Sequence, residues 1–264
     1  MISIRNIEHD KRKLQRAHQV LAYLTHYYVH SMPQSDVLKP KIIPKTLAIP
    51  LVAVSHQLEI APVLCYADVV LWNLYPINPE LPISVDNMRF RHLFSRTIDE
   101  DTFYRASAAS ELRAVEFLQI IEEFNHLPAT SDITTISKIS RDLQRVTSII
   151  NDLDNIMRNV LVDCDPQVFY WKIRPWYNGA DADGPSSPGW IYEGVDTSSN
   201  LQLSGPSAGQ SSVFHVMDVW LDIDHKLKQR RYPEPSAENK RVNHSFMERM
   251  YVILHTLPTE HIFI

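Results

Sequence analysis

SDITTISKISRDLQRVTSIINDLDNIMRNV, residues 131–160, is the stretch of the chain that decides its fold class. Apolar side chains recur in it at three- and four-residue steps, and this period places them on one face of an α-helix. The predicted face consists of Ile133, Ile136, Ile139, Leu143, Val146, Ile150, Leu153, Met157 and Val160. An amphipathic helix of this length is typical of the wall of a helical bundle.

The sequence on both sides of this stretch repeats the helical period. Residues 10–30 carry one apolar face, and Asp101 is the predicted cap of a helix that ends near Phe124. Residues 62–75, PVLCYADVVLWNLY, are apolar nearly all round and predict a helix buried on every side. Two further helices are predicted over 211–228 and 236–257, and alternating strand patterns are scarce. The sequence therefore predicts an all-α protein, with residues 1–264 forming a single helical domain.

Composition limits the possible partners and compartments. The chain has 264 residues and is 44% hydrophobic, enough to bury a large core. Its 26 Lys and Arg against 31 Asp and Glu disfavour a nucleic-acid or anionic-membrane partner. The N-terminus is polar where a signal peptide would be apolar, and no apolar run reaches the length of a membrane span. With only two cysteines, the chain is expected to be a soluble, monomeric cytoplasmic protein without disulfides.

The chain lacks the common catalytic signatures, among them GxSxG, HExxH, paired CxxC and GxGxxG motifs. His26 and His30 are four residues apart on one predicted helix face, the spacing of a metal-binding pair. Twelve histidines make such a pair common by chance, so a metal site there is disfavoured. Glu111 and the nearby glutamates of the same helix are predicted to form a solvated face.

All six glycines fall between Gly179 and Gly209, in a segment that also concentrates aromatic residues. Glycine permits positive φ angles and close backbone approach, and a surface loop would account for that alone. Just before the glycines, however, Arg174 stands within KIRPWYNG, among aromatic side chains. One interpretation is a structural cation–π contact, and the other is a bidentate clamp on a ligand carboxylate or phosphate.

Four stretches together resemble the indoleamine 2,3-dioxygenase family. They are PVLCYADVVLWN (62–73), RPWYNG (174–179), YEGV (192–195) and GPSAGQSS (205–212). The resemblance runs in order from about Asp10 to the end of the chain. It implies a large helical bundle of the haem-domain type, preceded in the family by a smaller domain. It also implies haem b as cofactor and cleavage of the indole ring of L-tryptophan, or a related indole, with O2. The product would be N-formylkynurenine, in the kynurenine pathway of tryptophan catabolism.

The resemblance also assigns roles to particular residues. Arg174 matches the arginine that pairs with the substrate carboxylate, and Phe169 matches the aromatic side chain against the indole. The full set implied to bind substrate is Tyr66, Phe103, Ser107, Phe169, Arg174 and Ser207. The set implied to contact the haem is Phe103, Ser107, Ser207, Ala208 and Gly209.

The match decays near the end of the chain. The family motif M/L-P-x-x-H corresponds to LPTEH, residues 257–261, and the proximal histidine of the family lies well beyond it. None of the histidines present aligns with that ligand, so the chain is interpreted as truncated at both ends, with apolar surface left uncovered. Three hypotheses follow: a truncated dioxygenase, which is favoured; a haem-free pseudoenzyme or binding module for an aromatic amino acid; and a helical scaffold that retains only the ancestry.

Overall fold

The computed structural model describes residues 4, 6–32, 39–127, 132–182, 187–196, 201 and 203–221. The predicted helix over 236–257 and the LPTEH segment lie outside these residues. The helices are α1 (Lys11–His30), α2 (Lys45–Leu58), α3 (Ile98–Asn125), α4 (Ile133–Asp163), α5 (Pro166–Val168) and α6 (Ser212–Trp220). There are π-helical turns at Ala67–Leu71 and Phe169–Ile173, and 3-10 turns at Arg174–Tyr177 and Ala208–Gln210. The strands are β1 (Lys41–Ile43), β2 (Leu74–Tyr75), β3 (Arg89–Phe90) and β4 (Trp190–Tyr192). The predicted all-α class is confirmed.

Helices α3 and α4 form an antiparallel pair. Three ion pairs join them in reverse order along the chain: Arg113–Asp152, Arg145–Glu116 and Lys138–Glu123. Between the helices lies an apolar cluster that α6 completes, formed by Ala114, Phe117, Ile120, Val146, Ile149, Leu153, Val213 and Met217. Burial of this cluster stabilises the pair, and α6 thereby places the preceding loop against α3.

The apolar face predicted for α4 is only partly buried. Val146 and Leu153 are buried, together with Ile149, which the predicted face did not include. By contrast, Leu143 and Met157 have about half of their surface exposed, at 49% and 52%. The buried stripe is therefore narrower than the apolar one, because among the described residues α3 and α6 cover only one side of α4.

A second core holds α1 and α2 against the middle of the chain. Leu21 and Val29 of α1 and Leu51 of α2 pack in it with Leu64 and Tyr104. Beside it, β1 and β4 pair in parallel, and β2 and β3 form a short antiparallel pair. Among the helices of the described residues, none is both long and apolar enough to span a membrane.

Two local predictions were wrong. Residues 62–75 do not form one long helix: a π-helical turn at Ala67–Leu71 leads directly into strand β2. The cap of α3 is Thr97 instead of Asp101, whose carboxylate binds Arg105 one turn further on. Buried Glu100 explains the earlier start of α3, since its carboxylate accepts hydrogen bonds from the backbone that enters the helix.

Candidate functional site

One face of α3 supports the candidate site. Phe103, Ser107 and Glu111 follow one another at four-residue steps, so they share that face, and all three are half-buried. The ring of Phe103 lies 4.7 Å from that of Phe169, measured between centroids. The Ser107 hydroxyl donates to the Phe103 carbonyl at 3.2 Å, a bond within the helix. The structure thus brings together two of the aromatic residues predicted for the indole pocket.

Glu111 is at the centre of a hydrogen-bonded network, and its predicted place on a solvated face was wrong. Its Oε1 accepts from the Tyr66 hydroxyl at 2.9 Å and from the Ser211 hydroxyl at 2.5 Å. Both donors are buried, with 6% and 1% of their surfaces exposed. Burial, reinforced by the negative charge of Glu111, raises the pKa of Tyr66 well above its usual value. One carboxylate therefore holds Tyr66 and the end of the glycine loop on the same helix.

Gln210 connects the glycine loop to the Tyr66 segment a second time. Its side-chain oxygen accepts from the Tyr66 backbone N–H at 2.8 Å, and its amide donates to the Gly205 carbonyl at 3.1 Å. Within the loop, Ser207 Oγ accepts from the Gly209 N–H, which leaves the hydroxyl hydrogen of Ser207 available to a ligand. Ser207, Ala208 and Gly209 are exposed. The loop is thus fixed at Tyr66 and open on its outer side.

The two glycine-containing segments cross in direct contact. The Ala180 N–H donates to the Leu203 carbonyl at 2.7 Å. A Cβ added to Gly179 would lie 2.1 Å from the Leu203 oxygen, and one added to Gly205 would lie 2.4 Å from the Tyr177 oxygen. Gly205 also has a φ of +83°, which side chains rarely adopt. Glycine is thus required at both positions, and the crossing places the turn after Arg174 beside the Ser207 loop.

Arg174 opens the 3-10 turn next to this crossing and is exposed. Its guanidinium carbon lies 5.3 Å from the centroid of the Tyr170 ring, the cation–π contact of the structural interpretation. The guanidinium makes no hydrogen bond or ion pair with another described residue. A stacked guanidinium keeps its in-plane N–H donors, so the contact with Tyr170 is compatible with binding a carboxylate.

Helix α1 holds the turn that carries Arg174. Trp176 is stacked between Tyr27, at 5.5 Å, and Phe94, at 5.0 Å. His26 Nδ1 donates to the Trp176 carbonyl and His30 Nε2 to the Asn178 carbonyl, each at 2.9 Å. The two histidines disfavoured as a metal pair are therefore used to bind backbone carbonyls.

A buried polar group links α1 to the Tyr66 segment. His18 Nδ1 lies 2.8 Å from Asp68 Oδ1, and His18 Nε2 lies 3.1 Å from the Ala61 carbonyl. The other Asp68 oxygen accepts from the Cys65 N–H and Sγ. Although these three residues could supply metal ligands, their ligand atoms already bind each other. The group is therefore described as a buried hydrogen-bonded pair of His18 and Asp68, with Cys65 bound to the second carboxyl oxygen.

Two cavities of about 580 Å³ each lie elsewhere in the described part of the chain. One lies between the β2–β3 connection and the start of α3, and the other between that connection, α3 and the end of α4. Neither is lined by a residue predicted to bind substrate or cofactor. The candidate site is therefore identified by the contacts between its segments, and not by either of these cavities.

Comparison with known proteins identifies the family of the chain. A family model described as "Indoleamine 2,3-dioxygenase" matches residues 1–261. The chain belongs to the indoleamine 2,3-dioxygenase family. The resemblance of its four motifs to that family is thereby confirmed.

Several relatives of this dioxygenase family match over most of the chain. Indoleamine 2,3-dioxygenase 1 of Mus musculus is 30% identical over 238 residues, which are 86% of this chain and 57% of the relative. Indoleamine 2,3-dioxygenase 2 of Mus musculus is 31% identical over 258 residues, 91% of this chain and 58% of the relative. Indoleamine 2,3-dioxygenase 2 of Homo sapiens is 30% identical over 235 residues, which are 85% of this chain and 56% of the relative. The chain thus spans less than two thirds of the length of these relatives.

Three residues that hold the site together were missed by the sequence reasoning. Glu111 follows Ser107 by one helical turn, so its spacing could have placed it on the site face. Gln210 lies inside the quoted GPSAGQSS motif, where only the small residues drew a prediction. For His26, the sequence carries no signal of its partners, because Trp176 is distant in the chain.

Proposed function

We propose that the protein is a haem-dependent dioxygenase that cleaves the indole ring of L-tryptophan with O2 to give N-formylkynurenine. Membership of the indoleamine 2,3-dioxygenase family supports the reaction class. The observation that carries the proposal is the crossing of Gly179 and Gly205, because it brings the Arg174 turn and the Ser207 loop together. The activity would assign the protein to tryptophan catabolism through the kynurenine pathway.

In this proposal, each segment binds one part of the amino acid. The planar fork of Arg174 binds the substrate carboxylate, for which its geometry is suited. Phe103 and Phe169, already in contact, pack against the indole. Tyr66 is held by Glu111 and Gln210, so its ring borders the pocket in one orientation. These residues orient the substrate and exclude water from it.

In this proposal, residues of two described segments would hold one side of a haem. The α3 face with Phe103 and Ser107, together with the exposed loop of Ser207, Ala208 and Gly209, offers the apolar and small groups that lie against a porphyrin. When bound, haem supplies the activation of O2. Among the described residues, four histidines contact the site segments, and each has a ring nitrogen at a backbone carbonyl: His18, His26, His30 and His215. In this proposal, the α3 face and the Ser207 loop lie on the substrate side of the cofactor.

A second candidate function is that of a haem-free protein that binds an aromatic amino acid. Arg174 and the aromatic residues beside it would serve that function equally well, since neither contact depends on iron. The two candidates differ in one property, the ability to bind haem.

Haem reconstitution of the full chain separates the two candidates. A Soret band with tryptophan-dependent formation of N-formylkynurenine would support the dioxygenase, whereas tryptophan binding without a Soret band would favour the haem-free protein. Arg174→Lys tests the carboxylate role, because an ammonium cannot reproduce the planar fork. We expect it to weaken tryptophan binding about ten- to hundred-fold, roughly 1.4 to 2.8 kcal/mol. Unchanged affinity would remove Arg174 from the site.

A further inference from the structure

His26 contacts both segments that the proposed function assigns to the substrate. Its Nδ1 lies 2.9 Å from the carbonyl oxygen of Trp176, two residues after Arg174. Its Nε2 accepts from the backbone N–H of Leu64 at 3.3 Å, two residues before Tyr66. The two segments are far apart in sequence, and this one side chain, which is fully buried in α1, joins them.

The two partners determine which form of the ring His26 adopts. A carbonyl oxygen can only accept, so Nδ1 must carry a proton, and a backbone N–H can only donate, so Nε2 must not. The ring is therefore neutral and protonated on Nδ1. A protonated ring would have no lone pair for the Leu64 N–H and would place an unpaired charge in the core.

The surroundings of His26 hold the ring in this position. The Trp190 ring of β4 meets it edge-on, with centroids 5.1 Å apart. Trp176, whose carbonyl it binds, is itself clamped between Tyr27 and Phe94. The Leu64 side chain is fully buried in the core. Because the ring is held on three sides, the position of the Trp176 segment constrains the position of the Leu64 segment.

We propose that His26 is a positioning residue that fixes the Arg174 turn against the Tyr66 segment, as a neutral imidazole protonated on Nδ1. The inference rests on the proposed function to the extent that these segments bind tryptophan. It assigns His26 no contact with the substrate. His26 acts on the distance between the guanidinium that binds the carboxylate and the ring that borders the indole. A misplacement of about 1 Å between a substrate and its positioning groups can cost about a hundredfold in rate.

Two substitutions of His26 each remove one of its two hydrogen bonds and keep the other. His26→Asn places an amide nitrogen near the position of Nδ1 and keeps the bond to the Trp176 carbonyl, but it cannot reach the Leu64 N–H. His26→Gln extends to the position of Nε2 and keeps an acceptor for Leu64, but it loses the donor to Trp176. His56→Ala on α2 is the matched control, since His56 is exposed and lies outside both segments.

The full chain is tested with L-tryptophan by calorimetry and with amide hydrogen exchange. We expect both His26 variants to weaken tryptophan binding about tenfold or more, and His56→Ala to leave it unchanged. The Leu64 amide should exchange at least about tenfold faster in His26→Asn and near the wild-type rate in His26→Gln. A residue that merely fills the core would instead change stability in both variants without this split.

The outcomes distinguish this inference from the proposed function. Wild-type affinity in either variant, in a folded protein, would overturn the positioning role. If the wild-type chain binds no tryptophan, the proposed function fails. Amide hydrogen exchange then tests the His26 hydrogen bonds alone, and an unchanged exchange rate of the Leu64 amide in His26→Asn would overturn the inference. Nitrogen-15 spectra provide a check that does not depend on any variant, because a ring protonated on Nε2 instead of Nδ1 contradicts the assignment.

Discussion

Replacing Glu111 with leucine should loosen the candidate site and destabilise the protein together. The substitution removes the acceptor of two buried hydroxyls, those of Tyr66 and Ser211. A buried donor left without a partner costs about 1 to 3 kcal/mol, so the two together cost about 2 to 6 kcal/mol. Because Glu111 is only half-buried, water can reach part of the gap, and we expect the lower half of that range.

The magnitude is measurable by thermal unfolding, followed by circular dichroism. For a chain of this size each kcal/mol corresponds to a shift of about 2 to 4 °C in Tm, so Glu111→Leu should lower Tm by roughly 4 to 16 °C. Glu111→Gln is the matched control, since an amide oxygen can still accept from both hydroxyls. It should cost about 1 kcal/mol or less and retain tryptophan affinity, whereas the leucine variant loses both.

The reasoning would be refuted by a leucine variant that unfolds within about 0.5 kcal/mol of the wild type, the range of ordinary surface substitutions. A glutamine variant as damaged as the leucine variant would show that the negative charge matters and not the acceptor. Tyr66 offers an independent readout. Glu111 contributes to its raised pKa, so the glutamine variant should ionise Tyr66 at lower pH in an ultraviolet titration, although burial keeps that pKa above its usual value.

Three further predictions concern the framework of the site. His18→Leu leaves the buried Asp68 carboxyl group without its hydrogen-bond partner and should reduce the free energy of unfolding by about 1 to 3 kcal/mol. The double variant with Asp68→Asn should recover part of this loss, and additive losses would contradict the pairing. Gly205→Ala forces a side chain into a positive φ and against the Tyr177 carbonyl, so it should cost more than about 2 kcal/mol in thermal unfolding. Gly189→Ala is the control: it also places a side chain at a positive φ, but its Cβ meets open space, so its cost should not exceed that value. Burial lowers the pKa of His26 from its ordinary 6.5 to about 3, so the unfolded chain takes up this proton more readily. The stability contributed by neutral His26 is therefore complete above pH 6.5 and declines as pH falls towards 3, and His26→Asn should flatten this part of the pH profile of unfolding.

Much of the architecture could be predicted from local sequence. The period of residues 131–160 predicts helix α4, because the spacing of its apolar residues is a property of the chain itself. Asp132 and Asp165 cap two helices by accepting from a backbone N–H three and two residues further on, so these helix starts depend on local sequence. The glycines between 179 and 209 likewise predict unusual backbone geometry in that window, and Gly205 adopts it. The four motifs were sufficient to predict the family.

What the sequence could not determine is which side chains meet across long separations. In the sequence, Glu111 is one more charged residue on a predicted helix. Its hydrogen bonds with Ser211 and Tyr66 form only because α6 and the π-helical turn pack against α3. In the sequence, His26 has the spacing from His30 of a metal-binding pair. Only the folded chain shows that its partner is the Trp176 carbonyl of the Arg174 turn. Helical periodicity states which face is apolar, but only packing decides which part of that face is covered, as the half-exposed Leu143 and Met157 of α4 demonstrate. Local sequence thus determines most of the helices. Contacts between distant segments are decided by tertiary packing, because a hydrogen bond depends on the distance in space and not on the distance along the chain.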